Sequence, residues 1–296
     1  MEAEGERFAM SEEGLREKIS EAVRIALEED VRDGDITTLW TVREKKQATA
    51  EIVSRAHGVA AGVDVAREVF RQVDSLLSFK PLLSDGDTLA PDEVVVELSG
   101  SARGMLTAER VALNFLQRMS GIASLTRKYV DACDGTGVKI LDTRKTVPGL
   151  RVLDKYAVSK GGGGNHRMGL FDMVLLKENH IEAADGIGPA IAAARSGMQR
   201  AGRQVMVEVE VEDLAGLEDA LAAGADWIML DNMDVESMAK AVIRVGRDGK
   251  KRPILEASGN ISLENVRAVA QSGVDVISVG ALTHSVSALD LSMLIH

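Results

Sequence analysis

Short apolar runs recur from residue 138 to the end of the chain, and stretches whose apolar residues have helical spacing separate them. Each run has the length of a buried strand, and each stretch between runs has the length of a helix of about ten to fifteen residues. This alternation is typical of βαβ units and a parallel sheet, and six units favour a closed or nearly closed α/β barrel over an open doubly wound sheet. The six runs are VKILD, MVLLK, VMVEVEV, WIMLD, PILEAS and VISVG.

The first third of the chain mixes helices and strands without a regular repeat. The apolar residues of 15–30 have the spacing of an amphipathic helix, and residues 31–40 are rich in turn formers. Residues 48–56 and 94–100 alternate as strands do. The acidic residues 1–14 show no such pattern, and we expect them to be disordered or loosely attached.

A helical stretch, LTAERVALNFLQRMSGIASLTRKYVDACDG, joins these two parts of the chain. Thr107 is the predicted N-cap of this stretch, and Gly121 is predicted to divide it into two helices. Arg110 lies about one turn after the predicted start of this helical stretch, where the pattern alone indicates a solvated helix arginine.

Charged or small polar residues follow each of the six apolar runs. The carboxyl ends of the strands carry the active site in α/β barrels, so agreement at six independent positions predicts a site at that rim. The residues concerned are Asp142–Lys145, Lys177, Glu210, Asp231, Ser258–Asn260 and Gly280.

Residues 142–180 form a basic island, with seven Lys or Arg against four Asp or Glu, in a chain of formal net charge −11. Two of the five histidines, His166 and His180, also lie here. This balance indicates a concave site for a polyanion. A nucleic-acid surface is not expected, because the basic residues form no long stripe and Tyr and Trp are nearly absent among them.

The sequence leads us to expect no targeting segment. The start lacks the basic and apolar regions of a signal peptide, and no window of about 18 apolar residues could span a membrane. The single cysteine, Cys133, cannot form an internal disulfide. We therefore expect a cytoplasmic protein without membrane or nucleic-acid partners.

The basic residues of the island suggest anion binding. Arg144 and Lys145 are adjacent cations on a short loop, and an anion would offset their repulsion. The run Gly161–Gly164 leads directly into His166 and Arg167, so backbone amides beside cations would suit a carboxylate or a phosphate, although a flexible turn is the plainer alternative. Lys177 ends an apolar run, where it either pairs with a carboxylate or forms a Schiff base.

Carboxylates line the middle of the predicted rim. Glu208, Glu210 and Glu212 alternate and therefore share one face of a strand. Glu210 and Asp231 end successive strands, so together they could hold Mg²⁺ through substrate oxygens and water. The alternative for Asp231 is an N-cap of the helix predicted at 234–245.

Small residues end the last two strands, at Ser258–Asn260 and Val279–Ala281. Such residues let backbone amides approach a phosphate, as often occurs after the last barrel strands. A phosphate cradle, a carboxylate pair and a cation cluster would together suit a phosphorylated sugar that reacts with another anion.

Over nearly its whole length the chain resembles the quinolinate phosphoribosyltransferase family, also called nicotinate-nucleotide diphosphorylase (carboxylating). The motifs that carry this resemblance are DGDITT (33–38), TAERVALNFLQRMSGIAS (107–124), DTRKTVPGLRVLDKYAV (142–158), GGGGNHR (161–167), GLFDMVLLKENHI (169–181), VEVEV (207–211), MLDN (229–232), EASGNIS (256–262) and VGALTHS (279–285).

The resemblance implies a reaction and an architecture. Quinolinate and 5-phosphoribosyl 1-diphosphate, with Mg²⁺, would give nicotinate mononucleotide, diphosphate and CO₂. An α/β sandwich domain over 1–117, with the tail 285–296 packing on it, would precede a TIM-like and not necessarily complete α/β barrel over 118–284. The family also implies a homodimer with shared active sites, in which Arg110 reaches the neighbouring subunit's site, and leaves higher oligomers open.

The resemblance further implies roles for individual residues. Lys177, Glu210 and Asp231 form the catalytic set, with Glu210 and Asp231 also holding ribose hydroxyls and the metal, directly or through substrate and water. Lys145 would contact the diphosphate, and Thr143 belongs to the substrate-binding set. The quinolinate carboxylates would be surrounded by Arg144, His166, Arg167 and Lys177. The 5-phosphate would be cradled by Ser258, Gly259, Asn260, Val279, Gly280 and Ala281.

Three alternatives stay open at this point. The first is a paralogue on the same fold, of the kind found near molybdate transport genes, that acts on another acceptor. The second is a Schiff-base aldolase that uses Lys177, and the third is a sugar-phosphate sensor without turnover. The stretch LLKENH favours quinolinate, because Lys177 gives its second carboxylate a partner.

Overall fold

A computed structural model describes residues 11–246 and 252–296. The described chain divides into two compact units. One unit, called here the sandwich unit, comprises 11–127, 145–162 and 282–296. The other, called the barrel unit, comprises 128–144, 163–246 and 252–281. The predicted domain boundary between residues 117 and 118 lies ten residues before the point at which the units divide, and it stays a prediction.

Nine helices and strands are described before residue 133. They are α1 (Glu12–Asp30), α2 (Ile36–Thr41), β1 (Gln47–Ser54), β2 (Gly58–Val59), α3 (Val63–Val73), β3 (Ser78–Pro81), β4 (Thr88–Leu89), β5 (Val94–Ser101) and α4 (Ala102–Ala132).

Each later strand is followed by one helix, except that two helices follow β7 and none is described after β12. The elements are β6 (Lys139–Leu141), α5 (Arg151–Lys160), β7 (Val174–Leu176), α6 (Glu178–Ala183), α7 (Ile187–Ala201), β8 (Val207–Val211), α8 (Leu214–Ala222), β9 (Trp227–Asp231), α9 (Val235–Val245), β10 (Ile254–Ser258), α10 (Val266–Gln271), β11 (Val276–Ser278), α11 (Ala281–His284) and β12 (Leu291–Ile295).

The sandwich unit is built on an antiparallel sheet of order β12-β1-β5-β3. Alternation along β1 buries Ala50 and Ile52 on one face, as expected for a sheet with one face on the core. Helix α3 buries Val69 and Phe70, and α1 packs against it. The C-terminal strand β12 pairs with β1, with Ala50 opposite Ile295.

Two predictions near the N-terminus need correction. Helix α1 begins at Glu12, where the Ser11 side chain accepts a hydrogen bond from the Gly14 N–H, so the last residues of the expected disordered segment are helical. Residues 1–10 of that segment lie outside the described residues. The turn-rich stretch contains the helix α2, because Asp35 accepts a hydrogen bond from the Thr38 N–H and caps it.

The two predictions about α4 were wrong. Thr107 is not its N-cap, since the helix begins at Ala102 and the Thr107 hydroxyl instead donates to Asp35, 3.2 Å away. Gly121 does not divide the helix. A Cβ at Gly121 would lie 2.2 Å from the Ser287 carbonyl oxygen, so this glycine permits a close backbone approach within the sandwich unit.

The barrel unit contains all six predicted strands in one parallel sheet of order β6-β11-β10-β9-β8-β7. This order is a cyclic succession, as in a barrel, whereas a doubly wound sheet reverses its order near the middle. The circle is broken between β6 and β7, where the described residues make one isolated parallel bridge, from Leu141 to Gly164. The predicted fold class, with a TIM-like barrel that is incomplete and a separate N-terminal sheet domain, is confirmed.

Within the described ranges, none of the helices combines the length and the apolarity that a membrane span requires.

Candidate active site

The polar residues predicted at the strand ends lie along one edge of the parallel sheet. Ser258 pairs with Asp231 across β10 and β9, and Glu210 pairs with Met229 across β8 and β9. Because all six strands run in the same direction, their carboxyl ends meet at this edge, which is called here the rim. The rim also carries Thr143 and Arg144 after β6 and Lys177 after β7.

Two arginines of the barrel unit lie close together. Arg167 is buried, with 7% of its surface exposed, and burial followed by the neighbouring charge of Arg144 lowers its pKa. The Nε of Arg144 is itself buried and has no hydrogen-bond partner among the described residues. Two desolvated guanidinium groups side by side favour an anion between them.

Asp142, at the end of β6, holds the loop that carries His166 and Arg167. Its buried carboxylate accepts hydrogen bonds from the Asn165 side-chain amide at 2.6 Å and from the His166 N–H at 2.9 Å. Arg167 in turn donates to the Met173 carbonyl at 3.3 Å. Asp142 was predicted at the rim as the first polar residue after an apolar run, but its part in holding this loop was not predicted.

The glycine run does not offer a set of open amides. The N–H groups of Gly161 and Gly162 donate to carbonyls at the end of α5, and the Gly164 N–H donates to the Ile140 carbonyl at 2.8 Å. These three amides cannot also bind an anion, so the suggestion of an amide cradle here was wrong for them. Within the barrel unit, Gly164 instead pairs with the edge of β6.

Lys177 forms an ion pair with Glu210, from the neighbouring strand β8. The side chain of Glu210 is 15% exposed and that of Lys177 is 48% exposed. The Lys177 N–H donates to Nδ1 of His180, 3.1 Å away, which fixes the main chain at the start of α6. Of the two alternatives for Lys177, the structure therefore contains the pairing with a carboxylate.

Asp231 does not cap the helix that follows it. The N-cap of α9 is Asp234, whose side chain accepts a hydrogen bond from the Ser237 N–H at 2.7 Å. Asp231 instead accepts from the Asn232 side-chain amide at 2.9 Å and is half-buried at the rim. Glu210 and Asp231 thus end adjacent strands with both carboxylates at the same edge.

Asn232 connects the ends of β9 and β10, a role that the sequence analysis missed. Its N–H donates to the Ser258 carbonyl, and its side-chain oxygen accepts from the Asn260 amide, both at 2.9 Å. Gly259 has φ +93°, and a Cβ there would lie 2.2 Å from the Asn232 Oδ1. The motifs MLDN and SGN contained this link, but they lie 27 residues apart, and only the strand order brings them together.

The end of β11 is more restricted than its small residues suggested. The Val279 N–H donates to the Leu141 carbonyl at 2.9 Å and so completes the sheet. Any phosphate contact at this strand end would therefore involve the following residues, Gly280 and Ala281.

Below the rim, the barrel encloses His166, Glu208 and Glu256. Nε2 of His166 lies 3.2 Å from Glu208 Oε2 and 3.3 Å from Glu256 Oε2. Burial acts to lower the pKa of His166, but Glu256 and Glu208 outweigh it and raise that pKa to about 10. Burial and the charge of Glu256 raise the pKa of Glu208 to about 7. Glu208 was predicted only as a neighbour of Glu210 on one strand face, and Glu256, in the run PILEAS, was not predicted as a site residue.

The two remaining predicted site residues, Arg110 and Lys145, belong to the sandwich unit. Arg110 is exposed on α4, and Lys145 is exposed in the segment between β6 and α5. The main-chain carbonyl of Lys145 accepts a hydrogen bond from the Thr283 hydroxyl at 2.8 Å.

Two family models cover almost the whole chain. The model of the quinolinate phosphoribosyl transferase N-terminal domain matches residues 35–120, and that of the C-terminal domain matches residues 122–294. The chain belongs to the quinolinate phosphoribosyltransferase family. Within this family, a Mycobacterium leprae (strain TN) protein named nicotinate-nucleotide pyrophosphorylase [carboxylating] is 45% identical over 277 residues, which are 92% of this chain and 95% of that protein.

Other members of the quinolinate phosphoribosyltransferase family agree with this assignment. A Nicotiana glauca protein named quinolinate phosphoribosyltransferase [decarboxylating] 2, mitochondrial, is 41% identical over 93% of this chain and 81% of its own. The solved structure of the nicotinate-nucleotide pyrophosphorylase from Francisella tularensis matches with a TM-score of 0.89 and 42% identity, over 95% of this chain and 96% of that chain. The family's fold therefore extends over both units.

Proposed function

We infer that this chain catalyses the reaction of its family. It transfers the phosphoribosyl group of 5-phosphoribosyl 1-diphosphate to the nitrogen of quinolinate and releases diphosphate and CO₂, and the product is nicotinate mononucleotide. The chain is thus a transferase of NAD biosynthesis. The residue roles below are our proposal for how the described geometry serves that reaction.

The observation that carries the proposal is the placement of cations at the rim. Arg144 and Arg167 lie beside each other, and both are partly removed from solvent. The Nε of Arg144 is buried and has no hydrogen-bond partner among the described residues. Quinolinate is a rigid dicarboxylate, and guanidinium groups bind carboxylates with two parallel hydrogen bonds. We assign Arg144 and Arg167 to its carboxylates, with Lys177 and Thr143 on neighbouring strand ends completing the pocket.

The carboxylates next to these cations suit the ribose. Departure of diphosphate leaves positive charge on the ribose ring, and negative groups placed in advance stabilise that charge. Glu210 and Asp231 have this position in our proposal, where they also accept hydrogen bonds from the ribose hydroxyls. The ion pair between Glu210 and Lys177 would hold the two substrates next to each other.

Decarboxylation needs no further catalytic group. Once the ring nitrogen is ribosylated, the bond from C2 to its carboxylate breaks and CO₂ leaves, while the electron pair of that bond stays on C2, where the adjacent positive nitrogen stabilises it. This pair then takes a proton from water, so that C2 carries hydrogen in the product. We therefore expect no covalent intermediate with Lys177.

The donor set at the rim fits the proposed Mg²⁺. Glu210 and Asp231 offer carboxylate oxygens, the hard ligands that Mg²⁺ prefers, but both already have protein partners in Lys177 and Asn232. Two carboxylates are not an all-protein cage, so substrate oxygens and water would supply the other ligands. When bound, Mg²⁺ neutralises charge on the diphosphate leaving group, as does Lys145 in our assignment.

The 5-phosphate is assigned to the ends of the last two barrel strands. Ser258, Gly259 and Asn260 end β10, where Asn232 holds the backbone in a fixed turn. Gly280 and Ala281 follow β11 beside them, with Val279 fixed in the sheet. Rigid backbone amides and a serine hydroxyl are suitable donors for phosphate oxygens.

The assembly and the location of the protein are proposals as well. Arg110 is exposed on α4 and has no hydrogen bond or ion pair with other described residues, which suits a role in a partner's site within a homodimer. We propose that dimer as the minimal active form. Cytoplasmic residence stays a prediction, and the plant relative's name assigns that protein to mitochondria.

One assay tests the proposal and its rivals. The protein is mixed with quinolinate, 5-phosphoribosyl 1-diphosphate and Mg²⁺, and nicotinate mononucleotide, diphosphate and CO₂ are measured. Equal amounts of the three products are expected. Binding of the sugar diphosphate without turnover would instead identify a sensor, and turnover with only another acceptor would identify a paralogue. Trapping of Lys177 by borohydride with a carbonyl substrate would identify an aldolase.

A further inference from the structure

His166, Glu208 and Glu256 form a buried cluster inside the barrel unit. Glu208 on β8 and Glu256 on β10 are fully buried, and His166 is 7% exposed. The ligand-type atoms of the three side chains lie within 4.8 Å of one another. This cluster is called here the interior triad, and none of the proposed substrate contacts explains its two glutamates.

The two glutamates need compensation for their burial. Their four oxygens have no well-aligned hydrogen bond with any described residue, although Nε2 of His166 approaches one oxygen of each. Two adjacent carboxylates in a low-dielectric interior are costly unless a proton or a cation offsets them. A metal ion bound by the triad, a cationic His166 and a proton held by the carboxylate pair itself are the three candidates that the geometry offers.

The other ring nitrogen of His166 decides between these candidates. The Arg167 N–H donates to Nδ1 of His166 at 2.8 Å, so Nδ1 carries a lone pair. In a neutral imidazole the proton is then on Nε2, which faces the two carboxylates. A metal ion would need the lone pair of Nε2, and a cationic imidazole would place a second proton against the Arg167 N–H. Both would break the observed contact, so we place the compensating proton on the carboxylate pair, where burial and the charge of Glu256 raise the pKa of Glu208. A proton there removes part of the negative charge that raises the pKa of His166, and the imidazole is then neutral at pH 7.

We propose that Glu208 and Glu256 are positioning residues that hold His166 in its Nε2–H tautomer, and that His166 thereby fixes the main chain of Arg167. Asp142 also fixes this segment, because its carboxylate accepts a hydrogen bond from the His166 N–H at 2.9 Å. The last link, from Arg167 to the carboxylate of quinolinate, rests on the function proposed above. The interior glutamates would thus set the affinity for quinolinate without touching it.

The first test is spectroscopic and does not depend on any substrate. Protein labelled with ¹⁵N at histidine is studied by long-range ¹H–¹⁵N correlation, with the His166 signals assigned by loss in His166→Asn. We expect the neutral Nε2–H tautomer in the wild type and a mixture of tautomers in Glu256→Gln. An Nδ1–H tautomer or an imidazolium in the wild type at pH 7 would overturn the proposal. So would one equivalent of Zn²⁺ that binds the wild type but not Glu256→Gln.

The second test is kinetic. We expect Glu208→Gln and Glu256→Gln to raise KM for quinolinate by about tenfold while kcat changes by less than about threefold, since they act on binding of one substrate. KM for 5-phosphoribosyl 1-diphosphate should not change. Glu212→Gln is the matched control, because Glu212, which was predicted to share this strand face, directly follows the end of β8 and is exposed, and it should behave as wild type. Thermal unfolding should show that both interior variants stay folded, because glutamine has nearly the size of glutamate and needs no compensating proton when it is buried.

Arg167→Lys separates failure of this inference from failure of the residue roles proposed above. If Arg167→Lys raises KM for quinolinate and Glu256→Gln does not, the interior glutamates are not positioning residues and the inference is overturned. If neither variant changes that KM, the assignment of Arg167 to quinolinate is wrong, and the inference fails at its last link even where the tautomer is as expected.

Discussion

The barrel contains two pairs of carboxylates, one at the rim and one in the interior, and the two pairs have opposite surroundings. Glu210 and Asp231 at the rim have cationic or amide partners and some exposure to solvent. Glu208 and Glu256 in the interior are fully buried and share one imidazole between them. Glu208 and Glu210 are only two residues apart on β8. A shift of two residues along one strand face therefore leads from the buried interior to the rim.

This difference teaches that depth in the barrel, rather than residue type, determines what a carboxylate can do. A rim carboxylate such as Glu210, paired with Lys177, can stabilise positive charge that develops on a substrate. Burial disfavours the charged form of an interior carboxylate, so such a group is better suited to orient a neighbouring side chain. The alternating sequence VEVEV therefore places a reacting group and a positioning group on one strand.

The largest effect is expected from breaking the rim pair. Lys177→Ala or Glu210→Gln should lower kcat/KM by about a hundredfold or more, because each removes a preorganised charge at the reacting centre. Stability should change by less than about 1 kcal/mol, since the pair is partly exposed. Steady-state kinetics and thermal unfolding measure the two effects.

Lys240→Ala is the matched control for this experiment, since it removes an exposed lysine from its ion pair with Glu236 on α9. It should leave activity unchanged. Near-normal kcat/KM in Lys177→Ala would mean that the rim pair is structural, and the contrast with the interior pair would be lost.

A smaller effect is expected at the phosphate end of the same rim. Gly259→Ala should raise KM for 5-phosphoribosyl 1-diphosphate by about tenfold, because its Cβ would displace Asn232 and distort the turn. Gly224→Ala is the control, since Gly224 also has a positive φ, +73°, but no atom within 4 Å of the added Cβ. Both should lose about 1 kcal/mol of unfolding free energy to backbone strain.

The double variant Asn232→Ala/Gly259→Ala sharpens this prediction. Asn232→Ala removes the side-chain oxygen that the new Cβ would meet, so the two changes should cost less together than the sum of their separate effects. Additive effects on that KM would show that the clash with Asn232 does not control the turn.

The sequence predicted the barrel well because its signal is local and repeated. Six apolar runs, each followed by a polar residue, gave both the strands and the edge at which Lys177, Glu210 and Asp231 lie. Helix boundaries were harder. Gly121 was taken for a helix breaker, but the reason for that glycine is the carbonyl of Ser287, 166 residues away in the chain, and no local pattern contains such a contact.

The interior triad could not be predicted for a related reason. His166, Glu208 and Glu256 come from a loop and from two strands that are not neighbours in the sheet, and only the curvature of the barrel brings them together. Their burial was also hidden, because an acidic residue in an apolar run usually lies at the exposed end of that run. For the same reason, Asn232 and Asn260 appeared as parts of separate motifs.

The smallest effect is expected from a glutamate that belongs to neither pair. Glu68 in the sandwich unit accepts hydrogen bonds from Arg71 and Gln72, and these hold its pKa down at about 2. Because the folded pKa is below the unfolded value of about 4.3, Glu68 stabilises the fold above that value and loses this contribution as the pH falls toward about 2. Glu68→Gln should therefore cost less than about 1 kcal/mol at pH 7, since Arg71 is exposed, and progressively less in acid. Urea unfolding from pH 7 to pH 3 measures this, with the exposed Glu44→Gln as control. If the loss of unfolding free energy in Glu68→Gln stayed constant over that pH range, the effect would come from packing rather than from charge. Glu68 would then no longer serve as a reference for a paired carboxylate in the comparison of the rim and interior pairs.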